Sequence, residues 1–317
     1  MTTTEITGEL VQERKRHGLF VDVLIRLVKE KPLGTVGGVI VLVLFLVGVF
    51  ADILAPYGYN EIQLSARLAP PSTQYWLGAD NLGRDLLSRI IYGARISMYV
   101  GLGSSIVATA GGLVLGIISG WFGGKTDMII QRLVDAMMCF PPIFLLLTVM
   151  AILGPGLIQV IGVLGVLTWF GNSRVVRSAV IAIKMNVYLE AARAIGASPF
   201  RIVMRHVLPN ITAPIIIMFT VSMGGFILAE STLSFLGFGI PPPVPSWGGM
   251  LSESGRRYML LAPWMALWPG LALAIVVYGV NMLGDALRDL LDPRLRGGLG
   301  RYGNVKAKKA KKLGEAA

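Results

Sequence analysis

Long apolar runs without a charged residue or a histidine dominate the chain. The runs contain 20, 29, 38, 23 and 27 residues and lie at 32–51, 96–124, 136–173, 207–229 and 258–284. Because a helix needs about 20 residues to cross a bilayer, four of them fit one helix each. The longest has room for two helices, and Gly154-Pro155-Gly156 near its middle is typical of a tight turn between them. The pattern predicts an all-α membrane protein with six transmembrane helices.

The distribution of basic residues tests this count. With six spans and the N-terminus inside, the cytoplasmic segments hold 23 of the 29 lysines and arginines and the outer segments hold 6. Cytoplasmic loops of membrane proteins are enriched in these residues, and five spans would place the basic C-terminal tail outside. We therefore expect a multi-pass protein whose two termini are both cytoplasmic.

Two amphipathic stretches flank the first span. Residues 17–31 and 81–95 both repeat apolar positions at helical spacing, which favours helices lying along the membrane surface. The predicted organisation follows in five parts: a cytoplasmic tail with an interfacial helix at 1–32, a first transmembrane helix at 33–54, an extracytoplasmic segment with an amphipathic helix at 55–95, a five-helix core at 96–286, and a basic cytoplasmic tail at 287–317.

The amino-acid composition excludes several classes of protein function. The chain is 54% hydrophobic and 15% charged, whereas soluble domains are about a quarter charged. Its net charge of +11 fits basic cytoplasmic loops better than a nucleic-acid partner. One cysteine excludes a disulfide framework and a cysteine-rich metal site. Two histidines far apart in the sequence are too few for a histidine-ligated metal centre unless distant carboxylates contribute. The stretch from Ser119 to Thr126 nearly matches a phosphate-binding loop, but Ser119 stands where that pattern needs glycine. We expect no catalytic residues, no metal and no cofactor bound by this chain.

The loop at 182–209 carries the most informative local pattern. Helix-forming residues from Ala182 to Ile195 precede Gly196, which suits the left-handed position after a helix. Ser198 and Pro199 then favour the cap and first position of a second helix, which carries Arg201 and Arg205. Pro209 is expected to open the fifth span. The simplest interpretation is an ordinary basic loop between two spans.

Glu230 is the one carboxylate well inside an apolar stretch. A charged group within the bilayer is costly, which makes it a functional candidate. Its position near the outer part of the fifth span leaves two interpretations open: contact with water or neighbouring hydroxyl groups, or a role in a pathway or gate.

Three motifs resemble one known family. Glu190-Ala191-Ala192, followed by Gly196 and by Leu208-Pro209, is similar to the EAA loop of ABC-importer permeases; His206 replaces the usual isoleucine, as in the peptide-transporter branch. The segments 76–95 and 230–249 resemble the second permease subunit of the dipeptide, oligopeptide and nickel importers. The resemblance covers roughly residues 33–296 and implies the type I importer permease (MetI-like) fold with an extra N-terminal span in a bacterial inner membrane.

The resemblance also implies partners and roles. Such a chain pairs with a homologous second permease, two cytoplasmic ATPases that bind ATP and magnesium, and an extracytoplasmic binding protein that delivers peptides. The implied coupling residues are Glu190, Ala191, Ala192, Gly196, Ser198, Arg201, Leu208 and Pro209. A permease for nickel, glutathione or another small solute stays open as an alternative. A stand-alone secondary transporter is a third reading, but it would need inverted repeats and paired midplane charges, neither of which is evident.

Overall fold

The structure, a computed structural model, describes residues 19–291, and their regular secondary structure is helical. Most of both predicted tails therefore lies outside the described residues. The longer helices are α1 (Leu19–Glu30), α2 (Pro32–Val49), α3 (Leu86–Phe122), α4 (Gly124–Met138), α5 (Pro142–Leu153), α6 (Leu157–Lys184), α7 (Val187–Ala194), α8 (Thr212–Phe235) and α9 (Trp264–Leu291).

The six predicted spans correspond to helical segments of three kinds. Four helices, α2, α3, α8 and α9, are long and apolar enough to cross a membrane by themselves. A fifth span is possible if α4 and α5, which meet at a bend of 88°, count as one. The remaining predicted span, the fourth along the chain, corresponds to α6, which is not among the helices long and apolar enough to cross a membrane by themselves. The charge-free part of α6 ends before Arg174 and spans 17 residues. The predicted break at Gly154-Pro155-Gly156 separates α5 from α6.

Three predicted boundaries differ from the structure. The stretch 81–95 is not a separate helix, because α3 begins at Leu86 and runs without interruption to Phe122. The first span ends at Val49, and a short helix, Ala51–Leu54, follows it. The third span is split because Pro141 and Pro142 interrupt the helix, Pro142 having no N–H to continue the ladder.

Close glycine contacts hold the bundle together. Along α3, a Cβ placed on Gly112 would lie 2.5 Å from the Cβ of Asn172, and one on Gly116 would lie 2.5 Å from the Cβ of Val176. Small residues four apart let two membrane helices approach closely, which explains the extensive packing of α3 on α6. The helices α2 and α9 use the same device at Gly34, where a Cβ would meet Ala286 at 2.1 Å.

The N-terminal amphipathic helix packs on protein. Leu27 of α1 is buried against Ala286 and Leu290 of α9. At the following helix boundary, Lys31 forms a 2.5 Å ion pair with Asp289. The apolar face of α1 is thus covered at least in part by the end of α9, which extends five residues past the predicted core.

Candidate functional site: the coupling loop and the opposite end of the bundle

The loop that joins α6 to α8 has the predicted helix, stop and helix. The first helix is shorter than expected, because α6 ends at Lys184 and α7 begins only at Val187. Gly196 has φ of 80°, and the Ser198 hydroxyl accepts a hydrogen bond from the N–H of Arg201 at 3.4 Å. Pro199 occupies the first position of the helix Pro199–Ile202. The chain then runs through a π-helical turn, Val203–Val207, and the helix Leu208–Asn210 before α8 begins at Thr212.

One face of this loop is buried in the protein. Leu189 and Ala192 of α7 join an apolar cluster with Ile202, Val207 and residues of α3 and α6. The Arg193 guanidinium lies 5.3 Å from the centre of the Trp121 ring, an attractive cation–π distance. Both halves of the loop are therefore anchored to the same cluster, on either side of Gly196.

The opposite face is open. Glu190, Ala191 and Gly196 are exposed, and so are Ser198, Arg201 and Pro209, whereas Leu208 is half-buried. Four apolar side chains beside them are each at least 76% exposed: Met185, Val187, Ile195 and Phe200. The sequence interpretation was wrong about Ala192, which was expected to face a partner but is 8% exposed because it lies on the Leu189 side of α7.

An ion pair between α4 and α6 lies at the same end of the bundle as the coupling loop. Arg177 of α6 donates from Nε and Nη2 to the two carboxylate oxygens of Asp127 in α4, at 2.6 and 2.5 Å. Such a two-pronged pair fixes geometry as well as charge. Ser119 donates to the same carboxylate, so α3, α4 and α6 meet at one point next to the coupling cluster.

The sequence analysis missed a buried charged cluster at the predicted extracytoplasmic end. Asp80 and Arg84 are 3% and 5% exposed and form a 2.7 Å ion pair. Asp85 caps α3 by accepting hydrogen bonds from the N–H and hydroxyl of Ser88, both at 2.7 Å. Arg89 donates to the carbonyl of Tyr59 at 3.0 Å. The 4-residue spacing of these charges was visible in the sequence, but their burial depends on the chain from 57 to 80 folding over them.

Glu230 lies within this same end of the bundle and is completely buried. Its carboxyl group accepts hydrogen bonds from Ser234 at 2.6 Å and from Ser231 at 3.3 Å. Nearby, a cavity of about 150 Å³ is lined by both charged and neutral polar side chains, among them Asp80, Arg89 and Ser246. These contacts agree with the first interpretation of Glu230, in which the carboxyl group reaches neighbouring hydroxyl groups. A role of Glu230 in a pathway or gate stays a prediction.

Two sequence families match the chain. The model for the inner membrane component of binding-protein-dependent transport systems matches residues 112–297, which include the coupling loop. The model for the N-terminal transmembrane domain of oligopeptide transport permease C matches residues 18–71.

Individual relatives agree with these matches. The dipeptide transport system permease protein DppC of Alkalihalophilus pseudofirmus is 41% identical over 84% of this chain and 88% of the relative. The oligopeptide permease OppC of Bacillus subtilis is 34% identical over 89% and 92%. The glutathione permease GsiD of Pectobacterium atrosepticum is 39% identical over 82% and 86%. A solved structure of the MetNI methionine ABC transporter aligns with a TM-score of 0.51 at 19% identity, covering 64% of this chain and 96% of that one, and shows the fold alone.

Proposed function

Because the chain belongs to the family of binding-protein-dependent transport system inner membrane components, we propose that it forms half of an importer's translocation pathway and couples to cytoplasmic ATPases through the loop 182–209. The observation that carries the proposal is the two-faced loop. Its inner face is anchored by Leu189 and Ala192, and its outer face presents exposed apolar groups beside Glu190. Exposed apolar patches rimmed by polar groups are typical of protein interfaces.

The mechanism is a two-state equilibrium. ATP favours one arrangement of the ATPase subunits, and a firmly anchored loop transmits that preference to the spans. Glu190 accepts hydrogen bonds from, or pairs with, a basic group of the ATPase, and Val187 and Ile195 fill an apolar groove. The anchor is what makes the coupling efficient, since a loosely attached loop would move without moving α6 and α8.

Further partners complete the proposed importer. A homologous permease supplies the other half of the pathway, and an extracytoplasmic binding protein delivers substrate. ATP and magnesium bind to the ATPases, which perform the hydrolysis. Both termini are cytoplasmic in this arrangement, which places the coupling loop on the side of the ATPases.

Peptides are the proposed substrates. The relatives named for dipeptide and oligopeptide transport support this class, and the relative named for glutathione, itself a short peptide, defines the nearest alternative. Nickel complexes are the alternative substrate that differs most from a peptide. Uptake of labelled dipeptides, longer peptides, glutathione and nickel by the reconstituted importer distinguishes these cases, and saturable transport of nickel alone contradicts the proposal.

Co-purification tests the ATPase docking surface. Val187→Asp places a charge among the exposed apolar groups of the loop, whereas Leu260→Asp does the same at a 93% exposed position on the predicted opposite side of the membrane. We expect the ATPases to be lost from complexes carrying Val187→Asp and retained in those carrying Leu260→Asp. Full retention with both variants shows that the ATPases bind elsewhere.

A further inference from the structure

The segment 236–250, which we call the cap, folds back onto the end of α8 that precedes it. Trp247 is 2% exposed, and its indole N–H donates to the carbonyl of Ile90 in α3 at 3.1 Å. A Cβ on Gly248 would lie 2.0 Å from the carbonyl oxygen of Ser231, so the cap backbone touches α8 directly. The N–H of Gly156 donates to the carbonyl of Gly239 at 3.0 Å, which ties the cap to the turn between α5 and α6. The cap thus covers one end of the helix bundle.

The carboxyl group of Glu230 lies beneath this contact. Ser234 donates to Glu230 at 2.6 Å, and the same hydroxyl accepts a hydrogen bond from the N–H of Ile240 in the cap at 3.1 Å. Ser246, also in the cap and 2% exposed, lines the adjacent cavity together with Ser234. Glu230 is therefore linked to the cap through the Ser234 hydroxyl, which joins the carboxyl group to the N–H of Ile240.

Movement of the cap would disturb this arrangement. A buried polar group that loses its partner costs about 1–3 kcal/mol, more if it is charged. The N–H of Ile240, once separated from the Ser234 hydroxyl, would carry that cost. The apolar contacts of Trp247 do not involve the carboxyl group. The hydrogen-bond network of Glu230 requires a defined geometry, and it therefore favours one position of the cap.

We propose that Glu230 is a positioning residue that fastens the cap to α8 through Ser234 and so keeps the outer end of the translocation pathway closed at rest. This inference rests on the proposed import function for its consequence, but not for the contact itself. A substrate delivered from outside passes this end first, so the cap must shift before substrate enters. Weakening the attachment then favours the open state and, by linkage, the state of the ATPases that accompanies it.

A cysteine reporter tests the contact in cells that express the complete importer, by a readout that does not depend on transport. The one native cysteine, Cys139, is first replaced by serine, and Ile240→Cys introduces a thiol at a position that is 7% exposed. A membrane-impermeant maleimide then measures cap opening in whole cells. We expect labelling about tenfold faster with Ser234→Ala or Glu230→Leu, the shift that corresponds to one lost buried hydrogen bond. Unchanged labelling with both variants overturns the proposal.

A matched control separates this effect from general loosening of the bundle. Ser97 is 1% exposed, and its hydroxyl has no hydrogen-bond partner among residues 19–291. Ser97→Ala removes the same atom as Ser234→Ala from a similarly buried site, and we expect it to leave labelling at the reference rate. Equal acceleration by both alanine variants means that the packing, and not the Glu230 network, holds the cap.

The conservative variant distinguishes hydrogen bonding from charge. Glu230→Gln keeps an oxygen that Ser234 can donate to. We expect it to restore slow labelling and, in the reconstituted importer, ATP hydrolysis that still depends on the binding protein. Glu230→Leu should raise hydrolysis in the absence of the binding protein. If Glu230→Gln behaves like Glu230→Leu in both assays, the group acts through its charge and the proposed positioning role is wrong.

Discussion

Gly196 offers a sharp test of how the coupling loop works. Its φ of 80° is a left-handed conformation, and a Cβ built there would have no heavy atom of the described residues within 4 Å apart from its chain neighbours. The protein itself therefore leaves room for a larger residue. The cost of Gly196→Val comes instead from the backbone, about 1–2 kcal/mol for a residue with a Cβ in this region. Asparagine is of similar size but tolerates the left-handed region.

The magnitude decides what the variant does. Removing a buried leucine from a core costs about 2–5 kcal/mol, so the anchors on either side of the turn are stronger than the strain. We expect Gly196→Val to insert and assemble, but with the angle between the two short helices shifted. A strain of about 1–2 kcal/mol corresponds to an effect of about 5- to 30-fold on a two-state equilibrium.

The assay is uptake measured together with ATP hydrolysis in proteoliposomes. Gly196→Val should lower substrate imported per ATP by about 5- to 30-fold, while hydrolysis continues. Gly196→Asn should stay within about twofold of the reference, because its backbone strain is smaller. Equal impairment by both substitutions would show that bulk against a partner matters and that the turn conformation does not. An unimpaired Gly196→Val would refute the role of the turn altogether.

Three further predictions concern stability. Leu189→Ala should destabilise the coupling loop by about 2–5 kcal/mol, seen as faster proteolytic cleavage within it in detergent, and the idea fails if cleavage is unchanged. Gly93→Ala should lower the melting temperature, because its Cβ would lie 2.7 Å from the Trp247 indole nitrogen; an unaltered melting curve would contradict that packing. Hydrogen bonds from Arg95 and Tyr92 lower the pKa of the Asp52 carboxyl. The ionised Asp52 therefore stabilises the fold at pH values above the ordinary aspartate pKa, and this stabilisation is lost as the pH falls through the lowered pKa. The melting temperature, measured from neutral to strongly acidic pH, should fall slightly on the acid side, and Asp52→Asn should abolish this fall. A pH profile of the melting temperature that is identical in that variant would speak against the interaction of Asp52 with Arg95 and Tyr92.

Local features of the coupling loop were predictable from the sequence. The left-handed Gly196, the Ser198 cap and Pro199 at the first helical position are each determined by neighbouring residues, and all three are confirmed. The error about Ala192 was avoidable, since Leu189 three residues earlier marks the buried side of the helix. The two-residue interruption at Met185 and Asn186 also has a local signal that the sequence analysis did not use, because Asn186 is a favoured N-cap residue and occupies that position before α7.

Direction and long-range contact were harder to predict. The length of an apolar run does not give the direction of the helices within it. The 88° bend between α4 and α5 was therefore not predicted, although Pro141-Pro142 lies at the bend. The polar residues before Arg95 suggested a surface helix because their partners were unknown. Arg89 is buried against the carbonyl of Tyr59, 30 positions away, and only the folded chain shows that contact.

The uninterrupted course of α3 has a consequence for sequence length. At about 1.5 Å per residue its 37 residues extend roughly 55 Å, which exceeds a hydrocarbon layer of about 30 Å. One terminus is pinned by Asp85 and Ser88, and the other by Ser119 bonded to Asp127. Deleting one residue between them would rotate one attachment by about 100° relative to the other. The number of residues in α3 thus determines how the attachments at its two ends are rotated relative to each other. Insertions of seven residues, close to two full turns, should be tolerated better than insertions of one or two.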